Sequence, residues 1–480
     1  MILRRPMNQK VAVSVVFVAA MFMTILDSTI VNVALPTLAR NFKVSLDSVD
    51  TVVIAYLVSL AVFISASAWL GDRLGGRRVL LGATGLFTLA SAACGLAANL
   101  PELIVFRIIQ GMGGGMMAPV GMALLYRTFP PAERIRASSI LTVPTNLAPA
   151  LGPVLGGLLV TSLSWRWVFY VNVPMGAAAI VFGVLFLTEQ PQPRPAPFDL
   201  LGFLMAGTGL GAAMYGVSEG PLHGWGTPAV LATLLIGVGL LVAVVVRALR
   251  HPAPVIDLRL LSNRLFRSAT GVMLFAIMAF GGSLYLAPLF LQDGRHVSAF
   301  TSGLTIFPEA IGIMVGAQIA TRMAYPRYGP RRLITAGVVL VALAVASMAL
   351  IGGETNLWWL RLITFIMGLG MAQVFVPCQA AAFATISQQA TARASTLFNT
   401  QRQIGQAVGV AIVSTVLSIV GLERGLHAYH VAFVVAAVMA LAAAAFALTI
   451  HDRDAASTRP GGFGRRRDPS LGTERAVVRS

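Results

Sequence analysis

The strongest constraint on this chain is the recurrence of apolar segments long enough to cross a lipid bilayer. Along the 480 residues, uncharged runs alternate with short polar breaks, and about 20 residues suffice for one crossing. No hydrophilic stretch is long enough for a soluble domain. We therefore predict an all-α integral membrane protein with 14 transmembrane helices, at about 11–35, 48–70, 79–98, 102–125, 138–162, 167–187, 199–217, 228–246, 268–291, 301–321, 333–352, 356–382, 396–420 and 430–450.

The distribution of basic residues predicts the orientation of these helices. A net charge of +17 would suggest nucleic-acid binding in a soluble protein. Here most of the 35 Lys and Arg residues fall in alternate loops and in both termini, and cytoplasmic segments carry such an excess. We predict cytoplasmic termini and no nucleic-acid partner. Val11–Leu35 is too long for a signal peptide, so we expect it to be retained as a helix. The predicted external loops contain Arg40, Lys43, Arg166, Arg295 and Arg424.

Two basic loops repeat a pattern of glycine and arginine. Asp72–Arg78 (DRLGGRR) and Pro326–Arg332 (PRYGPRR) match at four positions with a constant offset of 254. Chance similarity is the alternative, but the shared glycine and spacing favour duplication, as in many transporters. We predict two pseudo-symmetric six-helix bundles with two inserted helices. The predicted domains are an N-terminal bundle at 1–190, a linker with the two inserted helices at 191–264, a C-terminal bundle at 265–451, and a disordered basic cytoplasmic tail at 452–480.

One carboxylate interrupts the first apolar run. Asp27 lies in Leu26–Pro36 (LDSTIVNVALP), about eight residues or ~12 Å from the predicted outer end of the helix. A charge at that depth costs several kcal/mol unless it is paired, hydrated or protonated, which makes Asp27 a functional candidate. Two interpretations remain open: a functional acid, or a carboxyl satisfied by the hydroxyls of Ser28 and Thr29 at a helix bend.

Two further charged residues inside predicted spans are functional candidates. Arg107, in Leu103–Gly115 (LIVFRIIQGMGGG), falls in the same outer half as Asp27. It either reaches the outer head groups or has a buried partner, and because arginine keeps its proton we expect it to tune a neighbouring acid. Glu309, in Phe307–Gly312 (FPEAIG), lies at the depth of Asp27. It is either a cation contact or second proton site, or a locally satisfied polar group.

These segments together resemble the major facilitator superfamily, and specifically its fourteen-helix drug:proton antiporter branch. Leu26–Pro36 is similar to the branch's helix-1 signature, whose aspartate is implicated in proton coupling, and Leu103–Gly115 resembles a helix-4 motif whose arginine is linked to proton transfer. Gly152–Gly157 (GPVLGG) resembles the helix-5 motif characteristic of antiporters, with helix packing as the alternative. The resemblance implies an antiporter-motif helix containing Pro149, Gly152, Pro153, Gly156 and Gly157.

The loop Gly71–Arg78 (GDRLGGRR) resembles the superfamily's loop between helices 2 and 3. In such a latch, the aspartate pairs with a positive group or helix end in one conformation and releases it in another. The sequence departs from the family pattern at Ala68, where glycine is usual, and at Gly76, where a basic residue is usual. A charged turn that enforces topology is the alternative. The resemblance implies a gating latch formed by Asp72, Arg73, Arg77 and Arg78.

The resemblance also implies an activity. Protons enter while a small amphipathic or cationic compound, such as a drug, biocide or antibiotic, leaves across the bacterial cytoplasmic membrane by alternating access. Asp27, Arg107 and Glu309 are the proton-coupling candidates, and Asp27 and Glu309 are also candidate substrate contacts. The alternative is a dedicated exporter of an endogenous metabolite, peptide, lipid or siderophore. We expect a monomer in the lipid bilayer, no cofactor beyond protons as the coupling ion, and an open requirement for an adaptor protein.

Other function classes lack their signatures in the sequence. An ATP-driven pump needs a phosphate-binding loop, but the only lysines are Lys10 and Lys43 and no GxxxxGK[ST] motif occurs. A channel needs a ring of polar groups, which two lone acids do not supply. Cys94 and Cys378 fall inside predicted helices, and no metal-ligand cluster or nucleophile triad is evident. We therefore predict neither enzyme activity nor a metal site.

Overall fold

A computed structural model describes residues 7–189, 197–421 and 425–458. Across these residues the chain is all-helical, with no strand. The α-helices, in chain order, are α1 Gln9–Phe42, α2 Leu46–Leu74, α3 Gly76–Leu96, α4 Leu100–Thr128, α5 Arg134–Ser162, α6 Trp167–Tyr170, α7 Asn172–Phe186, α8 Leu200–His223, α9 Pro228–Arg250, α10 Arg264–Leu289, α11 Ala299–Ile306, α12 Pro308–Ile319, α13 Tyr325–Met348, α14 Leu357–Ala382, α15 Thr391–Val420 and α16 Leu426–Leu448.

Helices α1–α7 and α10–α16 pack in the same pattern. In the first set α4 packs against α2 and α3, α5 against α1, and α7 against α1 and α3. In the second set α14 packs against α12 and α13, α15 against α10, and α16 against α10 and α13. We call these two sets the first and second halves. The recurring neighbours are what a duplicated helical unit produces.

The two repeated basic loops turn through a glycine at the same position. Gly75 has φ +94° and Gly329 has φ +75°. Side chains are disfavoured at such positive φ values, whereas glycine adopts them readily. Gly75 therefore separates α2 from α3, and Gly329 marks a sharp kink inside α13, which divides that helix into a short first segment and a long second one.

A carboxylate caps the helix that follows each of these turns. Glu189, just after α7, accepts hydrogen bonds from the backbone N–H groups of Arg77 (3.2 Å) and Arg78 (3.3 Å). Asp452, just after α16, accepts one from the backbone N–H of Arg331 at 3.0 Å. Negative charge at a helix N-terminus satisfies free N–H groups and complements the helix dipole. Each half therefore ties its final helix to its third long helix.

The inserted helices α8 and α9 form a hairpin between the halves in the sequence. They pack against each other, and α8 also packs against α2 of the first half and α15 of the second. Asp199 caps α8 through the backbone N–H of Gly202 at 2.9 Å and pairs with Arg247 of α9 at 2.7 Å. Burial disfavours the charged form of Asp199, but the hydrogen bonds from Arg247 and Gly202 outweigh it and hold the pKa of Asp199 below its usual value. The hairpin is thereby closed at its base.

Twelve helical stretches of the described residues are long and apolar enough to cross a membrane, judged by length and composition. One of them, Phe300–Met348, has 49 residues and includes α11, α12 and α13, which is more than twice the ~20 residues that one crossing needs. Helix α5 is not among the twelve. The chain is therefore a multi-pass membrane protein, and the figure of fourteen spans stays a prediction.

Three boundaries differ from those expected from hydropathy. Helix α1 continues to Phe42, seven residues past the apolar run at 11–35, because hydropathy detects the bilayer-crossing part and not the end of the helix. The run at 301–321 is interrupted at Phe307, where Pro308 lacks the N–H needed to continue the hydrogen-bond ladder. The run at 167–187 is divided at Val171 into α6 and α7.

The start of the expected tail is ordered. Residues 452–458, which the sequence assigns to a disordered segment, pack on the second half: Asp452 caps α13, and the hydroxyl of Thr458 lies 2.5 Å from that of Tyr325. Residues 459–480 lie outside the described residues. So does the segment 190–196, which contains the predicted boundary between the first bundle and the linker.

One end of the bundle carries both described chain ends, and we call it the basic end because it also carries Arg73, Arg77 and Arg78. Near its start the chain forms a salt bridge from Lys10 to Glu133 at 2.7 Å. The turn that contains Glu133 packs against residues 456–458 near the other terminus. The two ends of the described residues therefore lie on the same side of the bundle.

The seam between the two halves is closed at the basic end. The hydroxyls of Ser67 on α2 and Thr396 on α15 are 2.9 Å apart. The rings of Tyr126 on α4 and Phe383 stack with their centroids 4.5 Å apart, and the guanidinium of Arg134 donates to the carbonyl of Phe383. These contacts are buried and join residues more than 240 positions apart, so the halves must separate here for the seam to open.

Candidate functional site

Asp27 of α1 and Arg107 of α4 form a fully buried ion pair in the first half. The distance from Arg107 Nη1 to Asp27 Oδ2 is 2.5 Å, and neither side chain is exposed. The same guanidinium donates from Nε to the carbonyl of Val52 on α2 at 3.3 Å. It lies 4.0 Å above the ring of Tyr56, a stacking contact that desolvated arginines favour. The charge of Arg107 is therefore held between a carboxylate and an aromatic face.

Two side-chain amides complete the surroundings of the carboxylate. Oδ1 of Asp27 accepts hydrogen bonds from Gln110 Nε2 at 2.9 Å and from Asn172 Nδ2 at 3.0 Å. Gln110 also accepts from Arg107 Nη1 through Oε1 at 2.7 Å. Asn172 and Gln110 are fully buried, as is Ser91, whose hydroxyl accepts from Asn172 at 3.1 Å. Both carboxylate oxygens are thus engaged by donors from α4 and α7.

The geometry excludes the two specific alternatives considered for these charges, hydroxyl pairing of Asp27 and head-group contact of Arg107. The hydroxyls of Ser28 and Thr29 donate to main-chain carbonyls of α1, at 2.8 Å and 3.0 Å, and not to Asp27. Arg107 is buried against Asp27 and does not extend toward head groups. The structure therefore places Asp27 and Arg107 in one polar network inside an apolar bundle.

The glycines of the GPVLGG segment bring α5 close to α1 just after Asp27. A side chain at Gly152 would collide with Thr29, and one at Gly156 would lie 3.0 Å from the carbonyl oxygen of Ile30. Gly157 has no neighbour within 4 Å of the position a β-carbon would take, so it does not take part in this contact. The backbone of Pro149 and Pro153 lies within α5. Of the three predicted glycines, Gly152 and Gly156 therefore pack closely on α1, and Gly157 does not.

Glu309 stands apart from this network, in the second half. It is the second residue of α12, directly after the break at Phe307, and is 4% exposed. Its Oε2 has no hydrogen-bond partner among the described residues. Gly368 of α14 leaves no room for a side chain beside the Glu309 carbonyl. The two acids therefore differ in their hydrogen bonding. Both oxygens of Asp27 accept hydrogen bonds, whereas Oε2 of Glu309 has no partner among the described residues.

The expected latch residues divide into two groups. Asp72 pairs with Arg127 of α4 at 3.1 Å, and Arg127 also donates from Nε to the carbonyl of Gln388 in the second half at 3.2 Å. Arg77 instead stays within the first half, where its guanidinium donates to the carbonyl of Val184 at 2.9 Å. Arg73 and Arg78 are exposed. The cation that joins Asp72 to the second half is therefore Arg127, which the motif did not include.

Sequence reasoning missed the uncharged members of the buried network. Gln110 follows Arg107 by three residues and so shares its helix face, a signal that was available. Asn172 is a polar residue inside an otherwise apolar run, and its side chain reaches Asp27 because α6 and α7 meet at Val171. Tyr56 carries no pattern that separates it from an ordinary core aromatic. Arg127 falls in a basic loop, where topology alone accounts for it.

The fold and the site together define a class. An all-helical membrane protein made of two alike halves, with a buried ion pair in one half and a seam between them, has the architecture of secondary transporters. The sequence model of the Major Facilitator Superfamily matches residues 17–410. The chain belongs to this superfamily and is a transporter, not an enzyme.

Similar proteins carry names from drug resistance. The chain is 35% identical over 411 residues to the "Multidrug resistance protein B homolog" of Mycobacterium tuberculosis (strain CDC 1551 / Oshkosh), covering 84% of this chain and 75% of that protein. It is 31% identical over 401 residues to the "Putative multidrug resistance protein MdtD" of Pectobacterium atrosepticum, with coverages of 83% and 85%. Both alignments cover more than four fifths of this chain.

Two solved structures share the fold. The human organic anion transporter MFSD10 (TETRAN) aligns with a TM-score of 0.62 and covers 91% of this chain and 100% of its own. The proton:xylose symporter XylE aligns with a TM-score of 0.61, with coverages of 92% and 96%. Each is 15% identical to this chain, so the likeness concerns the fold alone.

Proposed function

We propose that this transporter is a proton-coupled antiporter that exports small amphipathic or cationic compounds across the bacterial cytoplasmic membrane by alternating access. The observation that carries the proposal is the fully buried pair of Asp27 and Arg107 inside the first half. Burying such a pair costs more free energy than packing apolar side chains of similar volume, so stability alone gives no reason for it. The drug-resistance names of its relatives support the substrate class.

In this proposal the ion pair and the proton compete for one carboxylate. A protonated Asp27 carries no charge for Arg107 to pair with, so loading a proton breaks the contact between α1 and α4. Arg107 cannot practically lose its own proton, so Asp27 is the group that exchanges it. Nη2 of Arg107 has no partner among the described residues, which leaves a donor ready for a new acceptor when the pair separates.

The basic end supplies the gate of the alternating-access cycle. Its positive charge favours the cytoplasmic side, and the contacts between Ser67 and Thr396 and between Arg127 and Gln388 hold it shut in this structure. Opening to the cytoplasm requires both contacts to part. Asp72 and the carbonyl of Gln388 share the guanidinium of Arg127 in this closed arrangement, so release of Gln388 would leave Arg127 held by Asp72 alone.

Glu309 is the candidate for contact with a cationic substrate. Asp27 is surrounded by three donors and offers no free oxygen to a second cation. Glu309 is buried in the other half with Oε2 unengaged, and α12, which carries it, packs against α5 across the seam. A cation bound there would compensate the charge of a carboxylate that is otherwise costly to bury.

The decisive experiment measures proton movement in inside-out vesicles acidified by respiration. Wild type and Asp27→Asn are compared across a panel of cationic dyes, biocides and antibiotics, with protein amount and folding matched. We expect substrates to collapse the pH gradient in wild type, and Asp27→Asn to lose at least 90% of this response, because an amide cannot carry the proton (about ten-fold or more, as for a lost buried charge).

The outcomes separate the alternatives. A response that survives in Asp27→Asn removes Asp27 from proton coupling. Absence of any response, with folded protein in both samples, favours a dedicated exporter of an endogenous metabolite, peptide, lipid or siderophore. The compound panel is then replaced by extracts of the cells in which this protein occurs.

A further inference from the structure

Among the described residues, Asn172 is the one donor to Asp27 that does not come from α4. It is the first residue of α7 and is completely buried. Its Nδ2 divides between Asp27 Oδ1 at 3.0 Å and Ser91 Oγ at 3.1 Å. Its Oδ1, by contrast, is buried and has no hydrogen-bond partner among the described residues. Buried amide oxygens are nearly always paired, so an orphaned one beside the exchanging carboxyl calls for an explanation.

We propose that Asn172 is a positioning residue that follows the protonation state of Asp27, with its amide donating to the carboxylate and rotating by half a turn to accept from the carboxylic acid. This inference rests on the proposed proton exchange at Asp27. It adds a residue that none of the motifs in the sequence assigns to that exchange.

The proton-loaded state requires an acceptor, which the described side chains bonded to Asp27 do not offer in their present orientation. A protonated carboxyl has an O–H to donate, while Arg107 Nη1, Gln110 Nε2 and Asn172 Nδ2 all face Asp27 as donors. Half a turn about the terminal torsion of Asn172 places Oδ1 where Nδ2 now lies. This torsion is broad and roughly two-fold, so both orientations are conformationally accessible. The orphaned oxygen then receives the proton donor.

Rotation of the Asn172 amide would also change the hydrogen bonds of Ser91. Its hydroxyl now accepts from Asn172 and donates to the carbonyl of Phe169 on α6 at 2.9 Å. After rotation, Asn172 presents an oxygen to Ser91, whose hydroxyl can donate to it only by releasing Phe169. Proton loading at Asp27 therefore loosens the hold of α3 on α6, at the junction that leads from α5 into α7.

The charged and titratable groups around the carboxyl come from three helices. Arg107 faces it from α4, Tyr56 from α2 and Cys94 from α3. Helix α7 has no charged residue, and those of α5 are Arg134 and Arg136 in its first turn at the basic end. A change of Asn172 to an uncharged residue thus alters hydrogen bonding at Asp27 without altering the local charges.

The test reads the Asp27 carboxyl directly by infrared difference spectroscopy of the purified protein during a pH titration. The carboxylic C=O band that disappears in Asp27→Asn belongs to Asp27. Asn172→Leu, of similar volume, removes a donor to the charged form and an acceptor for the neutral form. Because the hydrogen bond to the charged form is the stronger of the two, we expect the band's midpoint to move up by about half to one pH unit. The frequency of the band should also change, because the acid loses its acceptor.

Two variants keep the result interpretable. Ser59→Ala is the matched control, since the Ser59 hydroxyl bonds the carbonyl of Ile108 beside Arg107 without touching Asp27, and it should move neither quantity. Asn172→Ser introduces a smaller side chain that is easier to accommodate, and it replaces Asn172→Leu if that variant does not fold. The midpoint of the Asp27 band should then move by less, in the same direction.

The outcomes separate this inference from the function on which it rests. If Asp27→Asn removes no titrating band, proton exchange at Asp27 fails and this inference fails with it. If the band is present but keeps its midpoint and frequency in a folded Asn172 variant, Asn172 only fills space and the inference alone is overturned.

Discussion

Arg107 and Asp27 depend on each other for burial. Arg107→Gln leaves a buried carboxylate facing two amides without a cation, and removal of one partner of such a pair typically costs about 3 kcal/mol or more. The double change Asp27→Asn with Arg107→Gln replaces both charges by amides, so we expect it to regain most of the lost stability without regaining proton coupling. Thermal unfolding of detergent-purified variants measures this.

The control for this comparison is Arg361→Gln. Arg361 lies near the start of α14, the second-half counterpart of α4, and its guanidinium sits 4.5 Å above the exposed ring of Trp358. We expect its loss to cost far less than that of Arg107. A double variant as unstable as Arg107→Gln alone would mean that the network around Asp27 is not organised by the ion pair.

Substitution of Glu309 tests whether this second acid contacts the substrate. Glu309→Gln keeps the shape but removes the charge, so transport of cationic substrates should fall at least about ten-fold more than that of neutral ones, as expected for loss of one close charge pair. The ratio of the two uptake rates in vesicles is the measurement. Glu354→Gln, an exposed carboxylate in the connection after α13, is the control. An equal fall for both substrate classes would assign Glu309 to structure or coupling.

Charged residues of the site could be predicted from sequence, and their uncharged partners could not. Asp27, Arg107 and Glu309 are conspicuous because ionisable groups are costly in apolar segments. Burying the uncharged side chains of Gln110, Asn172 and Ser91 costs much less free energy, and many such residues occur in membrane helices for packing. Their importance comes from the position of three helices around one carboxylate, which no local pattern encodes.

At the level of single helices, α5 is expected to depend on which of its glycines is changed. Gly156→Val places a branched side chain against Ile30 and Val33 of α1, and overpacking of this kind costs about 1–3 kcal/mol. We expect lower thermal stability and impaired transport, because the displaced helix is the one that carries Asp27.

Gly157→Val is the matched change one residue further along, where a β-carbon meets nothing within 4 Å. It should leave both stability and transport close to wild type. Equal damage from the two substitutions would show that the glycines serve the flexibility of α5 and not its contact with α1.

Hydropathy predicted where the apolar helices lie better than where they begin, break and end. The segment from Trp165 to Pro174 illustrates the limit. Trp165 is buried against Phe42 and Phe169, whereas Trp167 is exposed, so one tryptophan packs the bundle and the other faces outward. Because the sequence offers the same residue type twice, only the turn between α5 and α6 decides which is which.

For the molecule as a whole, the closed seam predicts that a cross-link at the basic end stops transport. With Cys94 and Cys378 replaced, Ser67→Cys and Thr396→Cys would lie on α2 and α15 at side chains whose oxygens are 2.9 Å apart, close enough for a disulfide. Oxidation should abolish transport and reduction should restore it, as measured in the same vesicles. The single cysteine variants are the controls, and transport by fully cross-linked protein would show that the halves need not part at this point.

The division into two alike halves could be read from the repeated Gly and Arg residues, since each repeat marks a turn with a positive φ at Gly75 or Gly329. The position of the inserted hairpin could not. Its contacts with α2 and α15 join segments that are far apart in the sequence, and an apolar helix facing lipid looks the same as one facing protein.

The ties within each half bear on how the chain is made. Gln9 bonds the carbonyl of Phe186 at 2.8 Å, and Thr449 bonds Ser268 at 2.7 Å, so each half is fastened between its own first and last helices. During synthesis the N-terminal unit emerges first, and by residue 189 it already contains every partner for its own closure. The hairpin of α8 and α9 follows, and its main contact with the first half is α8 on α2. The hairpin completes its packing only after α15 has been synthesised.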